Sequence, residues 1–383
     1  MIEPHSHMNA SQEEPLAPKR TRIQEFWRLL KKNRLALAGM TIFLVFFLIA
    51  VAGKVLTYGT KPYFDPSLVR LPEKLRPPLS QPDPQVLQPV EFPRLGVYLF
   101  GTDDLGRDVF SRMLQGAWVS LSVGFVAVGI SVFIGILIGG IAGYFGQASI
   151  RVNHLLLSCL VLAGGISLVF GAIFLGFCLL VVAILFLYHA IRSRKKVSLE
   201  NTWFNKGALS VDTLVMRFVD IMLCFPSFFL ILTVVALLPA SMYNIMIVIG
   251  LTSWMGTTRF VRAEFLSLRE QDFVTAAKAL GVNDWRIIFR HMIPNAIGPV
   301  LVSATLGVAG AILTEAGLSF LGFGVPPPDA TWGNILSDGK RFIFDAPWLT
   351  FIPGFAILIV VLSFNLFGEG LRDILNPKLR ERY

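Results

Sequence analysis

Charge is scarce in this chain: only 15% of its 383 residues are Asp, Glu, Lys or Arg, against 54% hydrophobic residues and a mean hydropathy of +0.64. A soluble globule of that size would expose apolar surface it could not cover, so lipid is part of its solvent. Cysteine is scarcer still. Cys159, Cys178 and Cys224 all lie inside apolar runs, which excludes a disulfide framework and any C-x-x-C metal or redox pair. The five histidines are scattered, so a metal centre is not expected. No G-x-x-x-x-G-K-[ST] stretch occurs, and no nucleophile and base are brought together by spacing. The chain itself therefore neither binds ATP by a phosphate loop nor reads as an enzyme. Its net charge of +9 does not point to nucleic acid, because the basic residues sit beside apolar segments, where orientation in a membrane explains them.

What is present in abundance is long apolar runs. A span needs about 20 such residues, and six regions qualify: 35–56, 117–143, 213–238, 243–261, 297–320 and 350–368. The segment 1–34, with "KRTRIQEFWRLLKKNR", is basic and is expected in the cytoplasm. The first run has no convincing cleavage site after it, so it reads as an uncleaved helix. Residues 57–114 then form a proline-rich outside loop ("LRPPLSQPDPQVLQP"). Residues 115–368 form the main membrane domain and 369–383 a basic tail, again inside. Within 147–210 lies a further apolar run, 155–190, about 36 residues and so roughly 54 Å as one helix. That is too long for one crossing, and its flanks Arg151 and "RSRKK" both favour the cytoplasm. A hairpin turning between Gly164 and Gly171, or a re-entrant loop, is expected, which brings the total to eight spans in an all-α fold.

The stretch "DFVTAAKALGVNDWRIIFRHMIPN", 272–295, interrupts the oil with two short helices. Asp272 is expected as N-cap and Gly281 as a left-handed C-cap. Ala276, Ala277, Leu280 and Gly281 are expected on one small, smooth face. Asn283 would cap a second helix whose Trp285, Ile288, Phe289 and Met292 form an apolar stripe against the membrane domain. Pro294 would separate that helix from the next span. The result is either a rigid elbow offering one face to a partner or an ordinary polar loop.

"TAAKALG", nine residues, then "HMIP" resembles the EAA loop of ABC-importer permeases, in the form found in the dipeptide, oligopeptide and nickel branch. "LGVYLFGTDDLGRDVFSRML", "VDTLVMRFVDIMLCFPSFF", "LTEAGLSFLGFGVPPPDATWGNILSDG" and "APWLTFIPGFAILIVVLSFNLFGEGLRDILNP" resemble that branch's second permease subunit, in order, over 25–378 apart from about 147–210. The resemblance implies a type I importer fold in the plasma membrane with both termini cytoplasmic, carrying peptides, nickel complexes or another small solute inward by alternating access. It implies a homologous permease, a solute-binding protein outside, and two ATPases that use ATP and Mg, with no cofactor in this chain. The loop 262–295 would hold the coupling helix, with Asp272, Thr275, Ala276, Ala277, Leu280 and Gly281 at the ATPase. Thr275 stands where the motif has glutamate, which removes a capping box at a cost under about 1 kcal/mol.

Four charged residues of "GTDDLGRDVFSR", Asp103, Asp104, Arg107 and Asp108, are candidates for contact with the binding protein or a partner subunit, or else form a capped turn. Intramembrane charges are costly. Arg217 and Asp220, i and i+3 on one helix face, are either a structural pair or a gate. Glu315 either lines the path or packs against a partner helix. Pro226 and Pro353 are expected to kink their spans. A secondary transporter would need internal repeats around a midplane site, and none is visible.

Overall fold

The computed structural model describes residues 22–146, 149–151 and 207–375. The hairpin expected over 155–190, with Cys159 and Cys178, lies outside the described residues, as does the tail beyond 375. The chain runs α1 (Arg22–Lys32), α2 (Arg34–Thr57), α3 (Val109–Tyr144), strands β1 (Ser149–Arg151) and β2 (Gly207–Ser210), then α4 (Val211–Leu223), α5 (Ser227–Leu237) and α6 (Met242–Arg269). It continues through α7 (Asp272–Ala279), α8 (Asp284–Ile287), a π-helical turn (Ile288–Met292), α9 (Ile293–Phe320), α10 (Trp332–Gly339) and α11 (Trp348–Leu375).

The helices show how a bundle is built for lipid. In α2, Asn33 accepts from the Ala36 amide and caps the first turn. The residues α2 buries are small (Ala36, Gly39, Ala50, Gly53, Thr57), while Leu44, Leu48 and Val55 face outward. With no hydrophobic drive between helices in lipid, close packing of small residues does the joining. The same logic sets the α3/α6 seam, where Gly135, Gly139 and Gly143 lie four residues apart. A Cβ on Gly139 would stand 2.5 Å from the Thr258 carbonyl oxygen, and one on Gly135 2.6 Å from the Thr257 side chain. Only glycine lets the two backbones meet there.

Among the described residues, α2, α3, α8–α9 taken together and α11 are long and apolar enough to cross a membrane; α4 and α5 make a fifth if counted together. That pair bends by 77°, so the expected single span 213–238 is broken, at Pro226, which lacks an N–H and restricts Phe225. Pro353 instead lies within an uninterrupted helix. The expected span 243–261 is helical, but Thr252, Ser253, Thr257, Thr258 and Arg259 make α6 more polar than the others. A short antiparallel ribbon departs from the all-α expectation: Ser149 pairs with Ser210, and Arg151 with Gly207. It brings together the two places where the chain leaves and re-enters the described bundle.

Leu29 and Leu30 of α1 pack with Ala36 and Ile374, so both ends of the described chain meet. Gly298 at the start of α9 faces Leu375 nearby. This is the elbow end of the bundle; residues 58–108 and α10 form the opposite, loop end. The loop is a folded unit rather than a proline-rich tether. Fully buried Glu73 accepts from Arg76 Nε at 2.8 Å and the Asp83 amide at 2.9 Å. Arg70 Nε donates to the Glu91 carbonyl at 2.6 Å.

Candidate functional site

The elbow is mounted on the ends of three long helices. Val274 and Ala277 of α7 and Ile287, Ile288 and Met292 bury against Val261, Phe265 and Leu268 of α6 and Ala296 and Val300 of α9, with Tyr144 of α3. Tyr144 also donates from its hydroxyl to Asp284 at 2.6 Å, and Lys278 Nζ lies 5.0 Å from the centre of its ring. One aromatic residue thus ties both short helices to α3. Sequence reasoning missed Tyr144, whose only signal is its place at the end of an apolar run.

Several expectations for the elbow are corrected by this geometry. Gln271, not Asp272, is the N-cap, and Asp272 is the first helical residue, where its charge still suits the helix dipole. The expected single face divides: Ala277 is buried against the bundle, whereas Asp272, Thr275, Ala276, Leu280 and Gly281 are exposed. An eight-residue helix with alanine on both sides carries too little apolar contrast to fix its rotation. The stripe also divides, since Ile288 and Met292 are buried but Trp285 and Phe289 are half exposed, their rings stacked with centroids 6.2 Å apart. Gly281 has φ +74° and Asn283 accepts from the Trp285 amide, as expected. Pro294 does not separate the second helix from the span. A π turn precedes it, in which the Ile293 amide donates to the Ile288 carbonyl, and Asn295 Nδ2 donates to the His291 carbonyl at 2.6 Å; α8 runs on into α9.

Between α3, α6 and α9 lies a partly open cavity of about 200 Å³. Its wall includes Ser131 from α3, Ser253, Gly256 and Thr257 from α6, and Ser303, Gly307 and Ala311 from α9, with no charged side chain. Sequence reasoning missed these residues, because isolated Ser, Thr and Gly in apolar runs give no pattern. Arg217, Asp220 and Glu315 do not line it. Asp220 pairs with Arg217 at 3.8 Å, as expected, and more closely with Arg259 of α6 at 2.5 Å. A second pair, Arg262 with Asp212, ties the same two helices. Glu315 is fully buried, accepting from Ser319 Oγ at 2.7 Å and Ser120 Oγ at 3.4 Å. Ser120 in turn accepts from the Trp332 amide, so Glu315 helps hold α10 onto α3 and α9.

At the loop end the four candidates divide by burial. Asp103 is buried, accepting from Arg107 Nε at 2.7 Å and Arg112 Nη1 at 2.6 Å; the same Arg112 atom reaches Asp338 at 3.0 Å. This clasp ties the loop, α3 and α10 together, and neither Arg112 nor Asp338 is marked by spacing, being 226 residues apart. Asp108 caps α3, accepting from the Ser111 hydroxyl and the Phe110 and Ser111 amides. Burial nonetheless pushes its carboxyl above the usual carboxylate range. Asp104, half-buried, is raised by burial and then by the nearby charge of Asp103. Burial also lifts the Tyr98 phenol to about 12. Among the described residues no His, Cys, Asp and Glu group is arranged to hold a metal ion.

Residues 206–381 match the family described as binding-protein-dependent transport system inner membrane component, and residues 21–78 match the N-terminal TM domain of oligopeptide transport permease C. A dipeptide transport system permease protein of Alkalihalophilus pseudofirmus is 35% identical over 99% of this chain and 96% of its own length. A di/tripeptide transport system permease protein of Pseudomonas aeruginosa is 32% identical over 97% of each. An oligopeptide transport system permease protein of Bacillus subtilis is 30% identical over 92% of this chain and 88% of its own. Similarity that runs the length of both chains, over a bundle of long apolar helices, identifies a member of the family of binding-protein-dependent transport system inner membrane components.

Proposed function

We propose that the chain is the permease subunit of an ATP-driven importer of dipeptides or oligopeptides. It encloses a path with a homologous permease, receives solute from an extracytoplasmic binding protein and is driven by two cytoplasmic ATPases. The observation that carries this is shared helices. α6 and α9 hold the elbow at one end, through Phe265 and Val300, and line the cavity further along, about two turns away on α6 at Thr257 and about one turn away on α9 at Ser303,. Any tilt of the elbow therefore moves the cavity wall.

In this reading the elbow end faces the cytoplasm. Arg28, Lys31, Lys32, Arg34, Arg286 and Arg290 cluster there, as the positive-inside rule asks. α6 runs parallel to α3 along its length, with Gly135 at Thr257, Gly139 at Val261 and Gly143 at Phe265, so it crosses in the same direction as α3 and, counting the pair proposed for residues 155–190, is the sixth crossing. The exposed row of Asp272, Thr275, Ala276, Leu280 and Gly281, continued by Trp285 and Phe289, is the ATPase contact. Asp104 and Leu105 are the loop-end residues best placed for a binding protein or partner.

The test is purification of the chain with its ATPases and uptake in proteoliposomes. Leu280→Asp with Trp285→Ala should reduce ATPase recovery and peptide uptake together. Full recovery and uptake in that variant would refute the docking surface, and uptake that persists without ATP would favour a secondary transporter.

A further inference from the structure

Serine and threonine in these spans mostly return their hydroxyl to their own helix. Thr41 donates to the Leu37 carbonyl, Thr252 to Val248, Thr305 to Val302, Thr314 to Gly310 and Ser363 to Val360. A hydroxyl so placed costs little in an apolar setting. Ser131, Ser253, Thr257 and Ser303 differ. Among the described residues none of the four has a hydrogen-bond partner, and all four line the one cavity between α3, α6 and α9. Ser131 and Thr257 are only 4% and 8% exposed, so their hydroxyls are withdrawn from lipid and solvent yet left open towards that space. A buried polar group without a partner is costly; Ser131 and Thr257 are two such residues facing the cavity, and with half-buried Ser303 and exposed Ser253 at its open side they point to a polar occupant of the cavity.

We propose that these four hydroxyls form a neutral hydrogen-bonding track for the backbone amides of a passing peptide, and that the track sets the range of peptides carried by ignoring side-chain charge. This rests on the peptide-import reading and deepens it. A hydroxyl donates to a peptide carbonyl and accepts from a peptide N–H, so it serves either face of an amide. With no charged residue in the wall, neither a lysine nor a glutamate side chain meets a fixed counter-charge that would hold it or a like charge that would repel it. Weak, repeated contacts of this kind allow both entry and release, the balance a conducting path requires. Gly256 and Gly307 add room for the chain to lie close to the wall, since a Cβ on Gly256 would meet nothing within 4 Å.

The experiment uses the assembled complex, with both permeases, the ATPases and the binding protein, in proteoliposomes. Uptake is measured for a neutral, a lysine-containing and a glutamate-containing tripeptide, and for the neutral one with its amides N-methylated, each corrected for affinity to the binding protein. Wild type should carry the three charge forms alike and the N-methylated form at least about fivefold more slowly, the worth of one neutral hydrogen bond. The combined variant Ser131→Ala, Ser253→Ala, Thr257→Val and Ser303→Ala should slow all three charge forms equally, erase the N-methyl penalty, and retain ATPase stimulation by the loaded binding protein. Ser303→Asp, at a half-buried position, should create a preference for the lysine over the glutamate peptide of about tenfold or more, from like-charge repulsion. Unchanged uptake in the combined variant, an N-methyl penalty that survives it, or a loss confined to one charge form would overturn the track. A wild-type complex whose ATPase is stimulated but which imports none of the peptides would overturn the peptide reading and the track with it, and is seen before any variant is compared.

Discussion

Adding one methyl group at two glycines of α3 should give opposite results. In Gly139→Ala the new Cβ lies 2.5 Å from the Thr258 carbonyl oxygen, 3.0 Å from Val261 Cβ and 3.1 Å from the Arg262 amide nitrogen. Two of these atoms are backbone and cannot rotate away. To open 2.5 Å to the 3.4 Å of ordinary contact, α6 must retreat by most of an ångström, loosening Gly135 and Gly143 in the same seam. Overpacking of this kind costs about 1–3 kcal/mol, partly offset by the roughly 1 kcal/mol that alanine gains over glycine within a helix. The net is a loss of up to about 2 kcal/mol. At Gly129, on the exposed side of the same helix, a Cβ would meet nothing within 4 Å, so Gly129→Ala keeps only the helix gain and should be stabilised by up to about 1 kcal/mol. Unfolding of the purified chain in mixed micelles of rising SDS content, followed by far-UV circular dichroism, reads both changes. Gly139→Ala as stable as Gly129→Ala would show that the α3/α6 seam is not packed as described.

Arg112→Leu leaves Asp103 buried beside only Arg107, and should cost about 3–5 kcal/mol, the usual penalty for breaking a buried pair; Arg112→Lys should recover part of the lost thermal stability, and equal stability of the two would deny the clasp. Tyr144→Phe removes one hydrogen bond to a carboxylate, worth about 1.5–3 kcal/mol, and should lower uptake per ATP hydrolysed while leaving the bundle folded; unchanged coupling would release the elbow from α3. Glu315→Gln keeps shape and hydrogen bonding in a position closed off from the cavity, so uptake of charged peptides should match wild type, and a charge-dependent loss would return Glu315 to the path. For Asp104, whose pKa is raised in the fold, the stability it contributes is fully present below the unfolded carboxylate pKa and is lost as pH rises through the folded value. Asp104→Asn should therefore gain in melting temperature over wild type as pH rises through that window, and a difference that is constant with pH would reject the assignment.

The features legible in the sequence are those carried by backbone demands. Gly281 must adopt a positive φ, Asn283 must cap, Pro226 must break α4 from α5, and runs of apolar residues must become long helices. The features that misled are those decided by what lies on the other side of a residue. Periodicity placed Trp285 and Phe289 with Ile288 and Met292, yet an apolar stripe does not distinguish a protein's own core from a surface kept for a partner. Pro294 would end an ordinary helix, yet here it follows a π turn and the helix runs on. Arg112 and Asp338 meet across most of the chain, and no local pattern announces such a pair. The cavity hydroxyls were silent for a further reason: a serine bonded to its own helix and a serine open to a cavity look alike in sequence.

The arrangement of these parts bears on how work done at one end reaches the other. α3 is held to α6 by glycines along one face and to the elbow by Tyr144, so it serves as the fixed member. α9 differs, because its first turns carry the π turn, Pro294 and Pro299, the region where backbone hydrogen bonding is weakest,. An elbow displaced by an ATPase would push α6 through Phe265 and Leu268 but would swing α9 about that weakened start. Ser303 and Gly307 would then move relative to Ser131, widening or narrowing the cavity without separating α3 from α6. Deleting Phe289 would convert the π turn to regular α-helix and rotate α7 and α8 by about 100° relative to α9, since each residue of an α-helix turns by that amount. Uptake should be abolished, while Phe289→Ala, which keeps the residue count and the π turn, should leave a partial activity. A deletion variant that transports as well as the alanine variant would show that the turn is not the joint between elbow and path.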